Sequence, residues 1–177
     1  MKKRQDQDGA IAPGQPRGRA LNAGSHFLDD LQVGDHFQTG STEVTAQLIG
    51  DFARVSGDSY GLHLDDNFAR EIGFPGIIAH GILVMALADG LKYRSAITLD
   101  AVASLGWNIA FTAPVFAGDR ITATVTVKDK RATGKPNRGI ATLEFVIVNQ
   151  HGELVQLGTN LLMMRRRPGK NGDGQDS

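Results

Sequence analysis

The 177-residue chain has no cysteine, only one tryptophan within an aromatic content of 6%, and no formal net charge. Without thiols there can be no disulfide, no thiolate nucleophile and no Cys-ligated zinc or iron–sulfur centre. A reducing compartment is compatible with that composition, and a cytoplasmic location is expected. No run approaches the ~18 apolar residues needed to span a bilayer. The N-terminal Lys2, Lys3 and Arg4 are not followed by the apolar core of a signal peptide. A membrane partner is therefore not expected. Neutrality overall also argues against a nucleic-acid partner, because such proteins are usually basic. Gly-x-Ser-x-Gly, Walker, Gly-x-Gly-x-x-Gly and His-Glu-x-x-His patterns are missing, which lowers the standing of elbow hydrolases, nucleotide-phosphate enzymes and zincins.

The zero net charge is a cancellation. Residues 1–25 carry five basic and two acidic side chains and residues 165–177 carry four and two, so of the 19 of each sign the body between them holds 10 basic and 15 acidic, a charge of −5. Both ends are rich in Gly and polar residues and poor in apolar ones, a composition that does not repay the entropy of ordering. The expected organisation is a disordered basic tail over 1–25, a single domain over 26–166 and a disordered C-terminal tail over 167–177.

Within the body, Thr45 is placed to cap a helix carrying Leu48, Ile49, Phe52 and Val55 on one face and ending near Gly57. A loop over 58–64 leads to a short helix at 67–72, stopped by Gly73 and Pro75. Residues 77–91 are apolar on nearly every side, which predicts a helix surrounded by the rest of the protein. After it the period changes to two. Ile121, Ala123, Val125 and Val127 alternate with polar residues, Leu143, Phe145 and Ile147 do likewise, and a last strand runs from Leu154 to about Met164. With strands near 37–44 and 105–111, the expectation is an α+β domain: one long central hydrophobic helix wrapped by a curved antiparallel sheet of about five strands.

The chemistry-bearing residues are few. Asp58 and His63 sit five residues apart in the Gly-bounded loop Ser56-Gly57-Asp58-Ser59-Tyr60-Gly61-Leu62-His63, which can fold a carboxylate and an imidazole onto one water for acid–base work near neutrality. Taken alone, the spacing is better read as a turn capped by Asp58 with His63 a partly exposed loop residue. His80-Gly81 lies near the start of the apolar helix, where backbone N–H groups lack intrahelical partners and can hold an oxyanion. His80 also reads as a core histidine. Pro114 to Asp119 forms a turn between strands. A metal site from Asp58, His63 and His80 is conceivable, but their spacing imposes no coordination geometry.

Together, Asp58, His63, His80-Gly81 and the Pro114-Val115-Phe116-Ala117-Gly118-Asp119 turn resemble the MaoC-like, (R)-specific enoyl-CoA hydratase family over roughly residues 30–164. That family pairs Asp-x-Asn-Pro-x-His with a His-Gly pair and a Pro-Val-x-x-Gly-Asp turn. The resemblance implies a hotdog fold, a homodimer or a higher assembly, and an acyl-CoA or acyl-carrier thioester substrate, with reversible addition of water to a trans-2-enoyl-CoA to give a (3R)-3-hydroxyacyl-CoA. It implies no cofactor beyond the coenzyme A of the substrate. Asp58, His63 and Gly81 become the catalytic residues, the first two activating water and the Gly81 N–H polarising the thioester carbonyl; Tyr60, His80 and Asp89 become substrate-binding residues.

Two departures stand out. Tyr60 and Gly61 replace the motif's Asn and Pro, which implies a less rigid loop, and Asp89 stands where short-chain members place a Ser. A helix carboxylate is also used by hotdog thioesterases, so thioester hydrolysis is an alternative. A third is a non-catalytic acyl-thioester-binding module.

Overall fold

The computed structural model describes residues 18–168. Most of the two tail assignments, over 1–17 and 169–177, lies outside them. Strand β1 (Gly24–His26) pairs in parallel with β3 (Ile97–Leu99), and a 3-10 turn at Leu28–Asp30 leads to β2 (His36–Glu43). Four helices follow: α1 (Ala46–Ser56), α2 (Gly61–Leu64), α3 (Asp66–Glu71) and α4 (Gly81–Tyr93). After β3 come β4 (Ala101–Phe111), β5 (Arg120–Ala132), β6 (Arg138–Val148) and β7 (Leu154–Arg165). The main sheet is antiparallel in the order β2-β5-β6-β7-β4.

The α+β class and the five-stranded antiparallel sheet agree with the sequence expectation, but the long central helix in a curved wrapping sheet does not. Among the described residues the helical part is divided among four short helices, the longest of 13 residues, and the sheet is open, with β2 and β4 as its outer strands. The reason is local. Ile78 forms a bridge with Phe116, and the Ala79 N–H donates to the Val115 carbonyl at 2.7 Å. Those contacts hold residues 78–79 extended, so the apolar run becomes helical only at Gly81. None of the described helices is long and apolar enough to cross a membrane.

The core lies between α4 and the inward faces of β5 and β6. Ile121, Ala123, Val125, Leu143, Phe145 and Ile147 have no solvent exposure and pack with Val84, Met85 and Ala88. Trp107 of β4 packs on Phe145, ring centroids 5.0 Å apart. Thr45 does cap α1, its Oγ1 accepting from the Leu48 N–H at 3.1 Å, and Gly57 ends the helix at φ +80°, where a side chain would be strained. α1 buries Ile49 and Ala53, whereas Val55 faces solvent.

The segment before β2 is tied down by charge. Arg19 grips the buried Asp35 with Nε at 3.0 Å and Nη2 at 2.6 Å. Burial pushes the Asp35 carboxyl up, but the Arg19 hydrogen bonds, the Gln32 N–H and the Arg19 charge outweigh it and leave it below its ordinary value. At the other end Arg166 holds Asp29 and Arg167 holds Asp30, and each carboxyl is lowered chiefly by that hydrogen bond.

Candidate active site

The αL turn at Gly57 directs the chain out of α1 into Asp58–Tyr60. The Asp58 N–H donates to Ser56 Oγ at 3.2 Å, and Asp58 Oδ1 lies a long 3.4 Å from the Tyr60 N–H. The carboxylate stays more than half exposed. The single turn α2 then presents His63. Gly61 is required here, because a Cβ would lie 2.9 Å from the Phe68 ring. Tyr60 packs edge-on against the same ring at 5.4 Å. The Tyr60-Gly61 departure therefore has a packing cause, since the Phe68 ring occupies the volume that a ring at position 61 would need.

Both histidines have one nitrogen committed to a main-chain carbonyl, which can only accept. His63 Nδ1–H donates to Ile78 O at 2.8 Å, which in the uncharged tautomer puts the ring's lone pair on Nε2. His80 Nε2–H donates to Asp58 O at 3.0 Å. The His80 ring is buried, lies 5.0 Å from Phe52, and stacks on His63 at 3.7 Å with planes 27° apart. His80 thus braces the Asp58 loop and the face of the His63 ring. Its Nδ1 is buried without a hydrogen-bond partner among the described residues.

Ligand atoms of Asp58, His63 and His80 lie within 4.8 Å of one another. That is about the span one water bridges with two hydrogen bonds of ~2.8 Å. The same three residues are the metal-ligating candidates, but the ring geometry does not suit an ion. Imidazole holds a metal in the ring plane, and two nearly parallel stacked rings share no in-plane point at bonding distance from both.

His63 opens onto a cavity of about 470 Å³ lined also by Gly81, Val84, Phe111, Val115 and Gln156 among others. Gly81 is the first residue of α4, and no side chain caps that helix, so its N–H belongs to the first-turn donors that lack an intrahelical acceptor. The Pro114–Asp119 turn positions this helix start. Asp119 Oδ2 accepts from the Phe116 N–H at 2.8 Å, and Val115 O holds Ala79.

Of the six residues singled out in the sequence, the structure brings Asp58, His63 and His80 together and sets Gly81 in the same cavity wall as His63. Tyr60 stands at the edge of the group, its ring 6.3 Å from His63. Asp89 is not among the cavity-lining residues; its Oδ1 lies 2.7 Å from the buried Lys92 Nζ, two turns along α4. Phe111 and Gln156 had escaped notice. Phe111 ends an apolar strand, and Gln156 sits in a strand where alternation would place polar residues outward.

His63 and the uncapped start of α4 line one cavity, and the Asp58 carboxylate lies beside the two histidines at its margin, a grouping of acid–base side chains next to a backbone donor. Residues 30–148 match the family model described as MaoC like domain, and the chain belongs to the MaoC-like hydratase/dehydratase family, with its hotdog-like fold. It is 37% identical over 119 residues to the (R)-specific enoyl-CoA hydratase of Aeromonas caviae, covering 67% of this chain and 81% of that protein. Among solved structures it resembles the MaoC-like dehydratase from Rhodospirillum rubrum (TM-score 0.73, 32% identity, 81% of this chain and 99% of that one). It also resembles the unliganded R-hydratase from Pseudomonas aeruginosa (TM-score 0.64, 27% identity, 80% and 86%).

Proposed function

We propose that the protein catalyses reversible addition of water to a trans-2-enoyl-CoA, giving a (3R)-3-hydroxyacyl-CoA. The observation that carries this reading is the placement of Asp58 and His63 within one water's span, beside a cavity that also contains the start of α4. In the hydration direction, His63 Nε2 accepts a proton from the water as its oxygen bonds to Cβ. Asp58 accepts a hydrogen bond from the second water hydrogen, which stays on the oxygen and becomes the product hydroxyl, and so fixes the orientation. The Cα–Cβ π electrons move toward the thioester oxygen, which the Gly81 N–H stabilises as an enolate; one such preorganised donor is worth about 3 kcal/mol. The His63 imidazolium then returns its proton to Cα, closing the balance. His80 and Tyr60 act on the reaction through the loop and ring they hold.

A homodimer fits the same reading. Edge strand β4 leaves Val102, Leu105 and Phe111 exposed, as α4 leaves Ile82 and Tyr93, and among the described residues β4 has a strand partner on one side only, so a second copy would cover its apolar edge. A cytoplasmic location accords with the acyl-CoA substrate. The test is loss of the conjugated-enoyl absorbance of short, branched and medium enoyl-CoAs, with Asp58→Asn as control. Turnover that disappears in the control is expected; a folded wild type inert across the panel sinks the proposal.

A further inference from the structure

Gln156 is the feature of this cavity that the reaction scheme leaves unused. It lies on β7 opposite Phe111 of β4 and Ile147 of β6, only 1% exposed. Its Nε2–H donates to Gly81 O at 2.9 Å, while its Oε1 is buried with no partner among the described residues. Burying a primary amide with one end unsatisfied is costly, and an apolar side chain of similar size would avoid that cost. The Gly81 carbonyl does not need the contact, because a first-turn carbonyl of an α-helix accepts from the N–H four residues on. An expensive group is therefore spent on one carbonyl, in the residue whose N–H faces the reacting thioester in the proposed reaction.

We propose that Gln156 is a positioning residue for the oxyanion contact. Its hydrogen bond clamps the Gly81–Ile82 peptide to the sheet and so fixes ψ of Gly81. On the other side Val115 O clamps the Ala79 N–H. The His80–Gly81 peptide, which carries the donor N–H, is held between these two anchors. A donor that must meet developing charge without reorganising needs this kind of support. Gly81, lacking a Cβ, has the loosest backbone in the first turn and gains most from an external clamp.

This inference rests on the hydratase reading, and one set of measurements separates the two. Gln156→Met removes the clamp and the orphaned Oε1 together while keeping the volume. The expected result is a kcat lower by roughly ten- to a hundredfold with KM changed less than about twofold, as for a small misplacement of a reacting group. The melting temperature is expected to be equal to or above that of wild type. Gln156→Glu supplies a second readout. Its carboxyl can donate to Gly81 O only when protonated, so the ratio of variant to wild-type kcat should rise as pH falls. A wild type that hydrates enoyl-CoA and a folded Gln156→Met with kcat within twofold of it overturn the positioning role alone. So does a Gln156→Glu ratio that is flat with pH, which decides the matter if the Met variant does not fold. A wild type inert on every enoyl-CoA overturns the hydratase reading and this inference with it.

Discussion

The inward faces of β5 and β6 and the first turn of α4 lie in one core yet are built on opposite terms. Along the strands, Ile121, Val125, Leu143, Phe145 and Ile147 are fully buried, and every one of them is apolar. Around the helix start, His80 Nδ1 and Gln156 Oε1 are buried without hydrogen-bond partners, two histidine rings are stacked, and Phe111 lies half out of the protein. A buried unsatisfied polar atom costs about 1–3 kcal/mol. The strands supply the stability that lets the helix start depart from packing rules. Such departures are expected where a fold does chemistry.

If that division holds, substitutions at the two regions should move different quantities. The largest effect is expected from Asp58→Asn, which keeps the size of an exposed side chain and removes its charge. Turnover of enoyl-CoA should fall by about 10²–10⁴-fold, the usual worth of a positioned acid–base group, with an unchanged melting temperature. His63→Gln should behave alike. A parallel loss of thermal stability in either variant would break the division.

The converse is Phe145→Ala. Phe145 has no exposure and packs on Trp107, so truncation leaves a cavity and should cost about 3–5 kcal/mol in urea unfolding. Specific activity per folded molecule should stay within about twofold of wild type. Smaller, and sharper as a test of the helix start, is Gly81→Ala. Its Cβ would meet the Phe111 ring, which is 61% exposed. A fall in kcat of roughly tenfold, restored in part by adding Phe111→Ala, would show crowding of the Phe111 ring against the helix start as the cause. Failure of the double variant to recover would point instead to the conformation of residue 81.

The two regions were not equally legible from sequence. Strict alternation in β5 and β6, the Thr45 cap and Gly57 stop of α1, and the change of period after residue 91 all come from local rules and correspond to observed elements. The spacing of Asp58 and His63 drew attention to two residues that the fold brings within 4.8 Å at their ligand atoms, and Gly81 shares a cavity wall with His63. Long-range contacts were out of reach. The bridge between Ile78 and Phe116 delays α4 until Gly81, and nothing within 77–81 announces it. The parallel pairing of Gly24–His26 with Ile97–Leu99 joins residues over 70 positions apart. In β7, Gln156, Gly158 and Asn160 share the buried face with Leu162 and Met164 while Leu161 is exposed. Alternation reports which residues share a face, but the neighbours decide which face is covered.

A third region sharpens the contrast by belonging to neither. The carboxyls of Asp29, Asp30 and Asp35 fasten the segments flanking the domain through Arg166, Arg167 and Arg19. All three are shifted below the ordinary carboxylate value, so each binds its proton less readily in the folded chain than in the unfolded one. Their contribution to stability is therefore complete above about pH 3.9, the unfolded value, and drains away as pH falls through it toward the folded values. The urea midpoint should hold steady from pH 7 to about pH 5 and decline below about pH 4. Asp35→Asn, which removes one of the shifted carboxyls and keeps its shape, should make the decline shallower while leaving turnover at neutral pH unchanged. These pins are mostly exposed at the arginine, where water screens the pair, so this is the smallest of the expected effects. An unaltered acid slope in Asp35→Asn would shift the acid sensitivity away from the pinned segment to some other carboxylate of the fold.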